Sequence, residues 1–356
     1  MTTHDAAKSS LPRVSLLAWV ALGFLLAFTF ALELAIGSVA IPLKSVVRIL
    51  LGMPVSSDTA RQIVLMFRLP RAVTAMLAGA ALGVAGLKMQ TLFRNPLADP
   101  FVLGISSGAG LGVAIVVLAA NALGLSALMA QSNITGSASI ILAATIGALV
   151  VLGAVLMVAR RVESTLTILI VGLMAGYISG SLVSIMMQFA IEHQMQSYIT
   201  WTYGSFGGVT WTQMTVFAPV VVAGVLIGWL LAKSLNALLL GDGYAHSMGV
   251  NVSRVRAAII AGASLLAGAV TAFCGPIGFL GIAVPHLCRM LLKTSDHRVL
   301  IPSVVLLGGS IAMLADLISQ APGTQMTLPL NAITALIGAP VVVGVVLKSR
   351  HVMEAG

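Results

Sequence analysis

Arg68-Leu-Pro-Arg71 opens a stretch that runs through a glycine- and alanine-rich apolar segment to Gln90-Thr-Leu-Phe-Arg94-Asn95-Pro96-Leu97-Ala98-Asp99-Pro100. Two basic residues, one long apolar helix and a polar, proline-stopped turn follow in that order. A soluble protein has no easy way to bury such a helix, whereas a bilayer accepts it without further cover. Pro96 and Pro100 end the helix, because proline lacks the N–H that the next turn would need and restricts the residue before it.

The rest of the chain agrees with that segment. Of 356 residues 59% are hydrophobic and 8% charged, and the mean hydropathy is +1.07. Soluble domains carry about 25% charged residues, so most of this surface faces lipid. Apolar runs predict spans at roughly 14–36, 70–93, 104–120, 138–159, 166–190, 214–232, 257–273, 277–291, 299–319 and 329–347. With no water in the hydrocarbon, each crossing must satisfy its own backbone, which requires helices. The expected fold is therefore an all-α, polytopic integral membrane protein of about ten transmembrane helices. It divides into a cytoplasmic tail 1–13, one transmembrane domain 14–350 with a cytoplasmic loop at about 234–253, and a tail 351–356. The first run exceeds a signal-peptide core of about 7–15 residues and reads as an uncleaved span.

Charge sets the expected orientation. Basic residues gather in alternate segments: Lys8 and Arg13; Lys88 and Arg94; Arg160 and Arg161; Lys233, Arg254 and Arg256; Arg289, Lys293 and Arg298; Lys348 and Arg350. The intervening loops at 121–137, 191–213 and 320–328 hold no Lys or Arg. This asymmetry puts both termini in the cytoplasm, and it explains the net charge of +9 without a nucleic-acid partner. Residues 37–71 break the pattern with Lys44, Arg48, Arg61, Arg68 and Arg71. Either the loop is a tolerated exception or an acidic partner docks on it.

Gly79/Gly83, Gly108/Gly112, Gly172/Gly176/Gly180 and Gly224/Gly228 recur at four-residue spacing, which aligns them on one helix face for close packing. The inside loop Leu240-Gly241-Asp242-Gly243-Tyr244-Ala245-His246-Ser247-Met248-Gly249 suits short surface helices, with Gly241 and Gly249 making the turns. The chain has no loop of the form GxxxxGK followed by Ser or Thr, so it is not expected to hydrolyse a nucleotide. No catalytic, cofactor or metal site is expected. Glu33 and Asp316 are ionisable groups near span ends; acidic groups at the midplane, usual for ion-coupled transport, are scarce. The residues alone leave a transporter driven by ATP, a secondary transporter and a membrane scaffold open.

The chain resembles the FecCD-type permease subunits of type II ATP-binding-cassette (ABC) importers, which take up iron-siderophores, haem and cobalamin. The resemblance runs from about residue 14 to 350. It is carried by Arg68-Leu-Pro-Arg71, Gln90 to Pro100 with Leu103-Gly104, and Trp201-Thr-Tyr-Gly204-Ser-Phe-Gly207-Gly208. It continues through Gly275-Pro-Ile-Gly-Phe-Leu-Gly281, Pro285-His286 with Arg289, Asp296-His297-Arg298, and Leu328-Pro329 to Gly338-Ala-Pro340. The resemblance implies the type II permease fold in a bacterial cytoplasmic membrane. It also implies a second permease subunit, two separate ATPase subunits on the cytoplasmic side and an extracytoplasmic binding protein. It implies that Arg68 and Arg71 dock the binding protein. Leu240, Gly241, Asp242, Tyr244, Ala245, Met248 and Gly249 would couple to the ATPase, with Arg94, Asn95, Pro96 and Asp99 forming the cytoplasmic turn. An iron chelate or haem is the leading cargo, and cobalamin the next. Thr327, Asn331 and Gln320 depart from the family pattern, at a common Glu, a common Gly and a basic docking position respectively.

Overall fold

The computed structural model describes residues 15–37, 39, 41–55, 57–119, 136–162, 164–321 and 326–354. The expected tail 1–13 and most of the loop 121–137 lie outside them. Every described element is a helix: α1 (Leu16–Ala35), α2 (Leu43–Leu50), α3 (Asp58–Gln62), α4 (Leu69–Phe93), α5 (Ile105–Leu118), α6 (Ser137–Ala159), α7 (Thr165–Gln188) and α8 (Glu192–Thr202). There follow α9 (Trp211–Leu230), α10 (Ala232–Leu239), α11 (Asp242–Ser247), α12 (Val252–Cys274), α13 (Leu280–Leu292), α14 (His297–Ser319) and α15 (Leu330–Glu354). Among the described residues, 7 helices are long and apolar enough to cross a membrane, and Ile105–Leu118, Leu280–Leu292 and Leu330–Gly344 are shorter apolar helices. Each of the ten expected spans falls on one of these.

Two boundaries differ from expectation. The helix read as starting near residue 70 starts at Asp58 and runs 36 residues to Phe93, through a π-helical stretch at Ile63–Arg68. The widened turns immediately precede Pro70, which has no N–H and whose ring crowds the carbonyl four residues back. At the other end of the chain, α15 continues through Glu354 instead of stopping near 347.

The long helix is the hub. Over its most apolar window 83% of residues are buried, against 17% for α1, because α9, α12, α13 and α14 pack around α4. Its alanines and glycines permit this. A Cβ at Gly79 would collide with the backbone of Gly308 on α14, and one at Gly86 with the backbone of Gly281 on α13. Without a hydrophobic drive between helices in lipid, such close backbone approach is what gives the packing its energy. A small second core joins α1, α2 and the π stretch through Leu34, Ile41, Val46, Ile49 and Val64. It leaves Leu43, Lys44, Val47 and Arg48 on the exposed side of α2.

Candidate functional site

The functional candidates sit at the two ends of α4. At its N-terminal end, Arg68 is buried and its Nη1 donates to the carbonyls of Leu34 and Ala35, each at 2.8 Å, while Nη2 donates to Val39. Those acceptors are carbonyls at and beyond the C-terminus of α1, which have no partner inside the helix. Arg71 grips Asp316 of α14 with both edges of its fork, Nε to Oδ2 at 2.5 Å and Nη2 to Oδ1 at 2.9 Å. Glu33 of α1 lies 3.9 Å from the same guanidinium. Gln320 Nε2 bridges the carboxylates, donating to Glu33 Oε1 at 2.7 Å and Asp316 Oδ2 at 3.1 Å.

Arg68 and Arg71, the expected docking residues, both have partners within the chain. The reason is local: α1 supplies unpaired carbonyls and α14 supplies a carboxylate that would otherwise be buried alone. Among the described residues, the exposed basic groups at this end are Lys44, Arg48 and Arg61.

At the C-terminal end, Arg94 takes a left-handed conformation (φ 47°) that closes α4. Asn95 Oδ1 accepts the Leu97 N–H at 2.9 Å and Asp99 Oδ1 accepts the Phe101 N–H at 2.8 Å, so the Asn95–Pro100 turn is held by its own side chains. From that turn Arg94 Nη2 reaches Asp242 Oδ1 at 2.8 Å, and Arg256 Nη2 reaches Asp242 Oδ2 at 3.1 Å. Asp242 begins α11, so one carboxylate ties the loop 234–253 to the ends of α4 and α12.

That loop folds as two short helices, α10 and α11. Gly241 (φ 117°) and Gly249 (φ 81°) bound α11, in conformations that only glycine adopts cheaply. Ala245 is buried on the inner face of α11, whereas Leu240, Tyr244 and Met248 are exposed. An apolar cluster on a polar rim is the usual anatomy of a partner surface.

A second tie was not assigned from sequence. Asn236 of α10 donates to Asp296 Oδ1 at 2.6 Å, and its Oδ1 accepts from the His297 backbone N–H at 2.9 Å and from the ring Nδ1 at 2.7 Å. With Nδ1 donating, His297 Nε2 is the acceptor for Thr91 Oγ1 at 2.8 Å. Partial burial raises the Asp296 carboxyl, but the Asn236 amide, the Arg298 N–H and the Arg298 charge outweigh it and hold it below its ordinary range. Next to this chain, Arg289 of α13 donates to Gln90 Oε1, and Gln90 Nε2 donates to the Ile282 carbonyl at 3.2 Å. Only the Asp296-His297-Arg298 motif and the isolated Gln90 and Arg289 hinted at this in the sequence.

Lys88 corrects the charge count. It does not lie in a loop: it is fully buried inside the bundle, with Nζ 3.0 Å from the Gly224 carbonyl of α9. Gly228 and Gly262 flank its ammonium end closely enough that a Cβ at either would crowd it. These glycines cut the slot that a lysine stem fills.

The profile of the FecCD transport family matches residues 25–348. This chain belongs to the FecCD transport family. It is 34% identical over 331 residues to the hemin transport system permease protein HmuU of Yersinia pestis, covering 93% of this chain and 96% of that one. To the vitamin B12 import system permease protein BtuC of Escherichia coli it is 35% identical over 289 residues, covering 80% of this chain and 83% of the other. A solved inward-facing conformation of a metal-chelate type ABC transporter superposes with a TM-score of 0.79 at 26% identity, covering 92% and 98% of the two chains. The chain is thus a multi-pass FecCD-type permease with the fold of an ABC importer.

Proposed function

We propose that this permease forms the membrane path of a binding-protein-dependent importer driven by a separate ATPase. Its cargo is an iron chelate or haem, with cobalamin as the second candidate. The observation that carries the reading is the α10–α11 pair, exposed through Leu240, Tyr244 and Met248 and anchored through Asp242 to Arg94 and Arg256. A surface both exposed and rigidly tied to the hub helix is what transmission of an ATPase movement requires. Gly241, Ala245 and Gly249 shape that surface, and Arg94, Asn95, Pro96 and Asp99 form the turn that receives its movement.

In this reading the C-terminal end of α4 faces the cytoplasm, which is supported by Lys233, Arg254, Arg289, Lys293 and Arg298 at that level of the chain. Both termini are then cytoplasmic, in the bacterial inner membrane. The binding protein docks at the opposite end. Lys44, Arg48 and Arg61 make first contact there, each exposed pair contributing about 0.2–1 kcal/mol and acting mainly on encounter and orientation. Arg68 and Arg71 hold the platform beneath them. Two permease subunits and two ATPase subunits complete the complex.

The relatives include a haem permease at 34% identity and a vitamin B12 permease at 35%, and both support testing haem and cobalamin alongside an iron chelate. The test is co-purification in mild detergent followed by uptake in vesicles, with haem, a ferric siderophore and cobalamin offered separately. We expect equal numbers of ATPase and permease and ATP-dependent uptake of one cargo. A permease free of ATPase across several gentle detergents, with uptake following an ion gradient, would overturn the proposal.

A further inference from the structure

Among the described residues, the C-terminal end of α4, the end of α13 and the start of α14 enclose a cavity of about 250 Å³, lined by Gln90, Thr91, Arg94, Arg289, Ser295 and His297 and edged by Leu239. No carboxylate lines it. The two acidic groups nearby in the fold are already engaged, Asp242 by Arg94 and Arg256, and Asp296 by Asn236 and the Arg298 N–H. Arg289 is half-buried, and its one hydrogen-bond partner among the described residues is the neutral oxygen of Gln90. A guanidinium withdrawn from water without a counter-charge is costly, and its planar fork matches an oxyanion.

The surroundings say where the anion comes from. Met290 and Leu291, the residues that follow Arg289, are exposed, as are Leu239 and Leu240 across the opening. Apolar side chains therefore flank a basic cup set between helix ends. Basic pockets between transmembrane helices on the cytoplasmic side are where anionic headgroups bind.

We propose that this cup is a phosphate-group site, with Arg289 as its principal ligand and Arg94 and Ser295 at its mouth. The phosphate belongs to an anionic inner-leaflet phospholipid or arrives free from the cytoplasm. The inference rests on the orientation given under Proposed function.

The test uses the full chain in nanodiscs of phosphatidylcholine, with and without phosphatidylglycerol, and a separate titration with inorganic phosphate. Bound lipid is counted by mass spectrometry and phosphate binding is read by calorimetry. Arg289→Gln removes the fork, and Ser295→Asp places a carboxylate at the exposed mouth without touching the packed interior. We expect both to weaken binding about tenfold or more, the loss of at least one charge-assisted hydrogen bond, with Arg161→Gln unchanged. Retention of phosphatidylglycerol at one per chain identifies the lipid source; phosphate binding with no anionic lipid preference identifies the free anion. Equal binding of both probes to wild type, Arg289→Gln and Ser295→Asp overturns the proposal. So does a loss of ATPase capture in Arg289→Gln with anion binding intact, which would give the cup to a carboxylate of the ATPase. ATPase capture by the wild type is scored independently, so failure of the importer reading and failure of the anion site give different results.

Discussion

Arg71 and Lys88 lie on the same helix, both largely withdrawn from solvent, yet their surroundings are opposites. Arg71 meets two carboxylates from two other helices and uses both edges of its fork. Lys88 meets one backbone carbonyl in a slot cut by glycines. The first cation joins α1, α4 and α14 at one end of the bundle; the second fills space near the other end. A paired buried charge becomes expensive when its partner is taken away, whereas a lone one is expensive while it stays.

The sharpest way to break this comparison is Asp316→Ala. It removes both hydrogen bonds of Arg71 and leaves Glu33, 3.9 Å away, as its remaining counter-charge, and we expect a loss of about 1.5–3 kcal/mol, read as a lower denaturant midpoint in detergent. A change under about 1 kcal/mol would show that the outer cluster carries no more than an exposed pair does. Next comes Lys88→Met, which keeps most of the stem and drops the charge. We expect it to be neutral or to stabilise by about 1 kcal/mol; a clear loss, reversed by Lys88→Arg, would mean that the ammonium holds α4 to α9 actively. The smallest stability effect is expected for Asp242→Asn, about 1 kcal/mol or less because its ion pairs are exposed. Its consequence should appear instead in uptake per ATP hydrolysed, which we expect to fall while the folded fraction stays unchanged. Coupled uptake at the wild-type ratio would remove Asp242 from the coupling path.

What the sequence could and could not reveal divides along range. The spans were legible because hydropathy is a local property, and so were the turns at Gly241 and Gly249 and the side-chain-braced turn after Arg94. Most of the glycine faces were also legible: Gly79 meets Gly308 and Gly108 meets Gly147, though a Cβ at Gly180 would meet none of the described residues. The partners of the buried charges were not. Arg71 and Asp316 are 245 positions apart, and no periodicity reports such a pairing. Lys88 looked like a loop cation because a lysine near a helix end usually reaches water; the glycines that bury it come from α9 and α12. The extension of α4 back to Asp58 was hidden for another reason. Asp58, Arg61 and Gln62 carry no apolar stripe, and Pro70 normally marks a helix start.

That extension has a mechanical meaning. At 36 residues the continuous run has a contour of about 54 Å, whereas the hydrocarbon is about 30 Å thick. The run is thus longer than the hydrocarbon is thick, and like a mast stayed at deck level it is guyed by Arg68 and Arg71 to the ends of α1 and α14. Force applied at the masthead is resisted by those stays, and by the small core that packs Val64 against α1 and α2, before it reaches the keel.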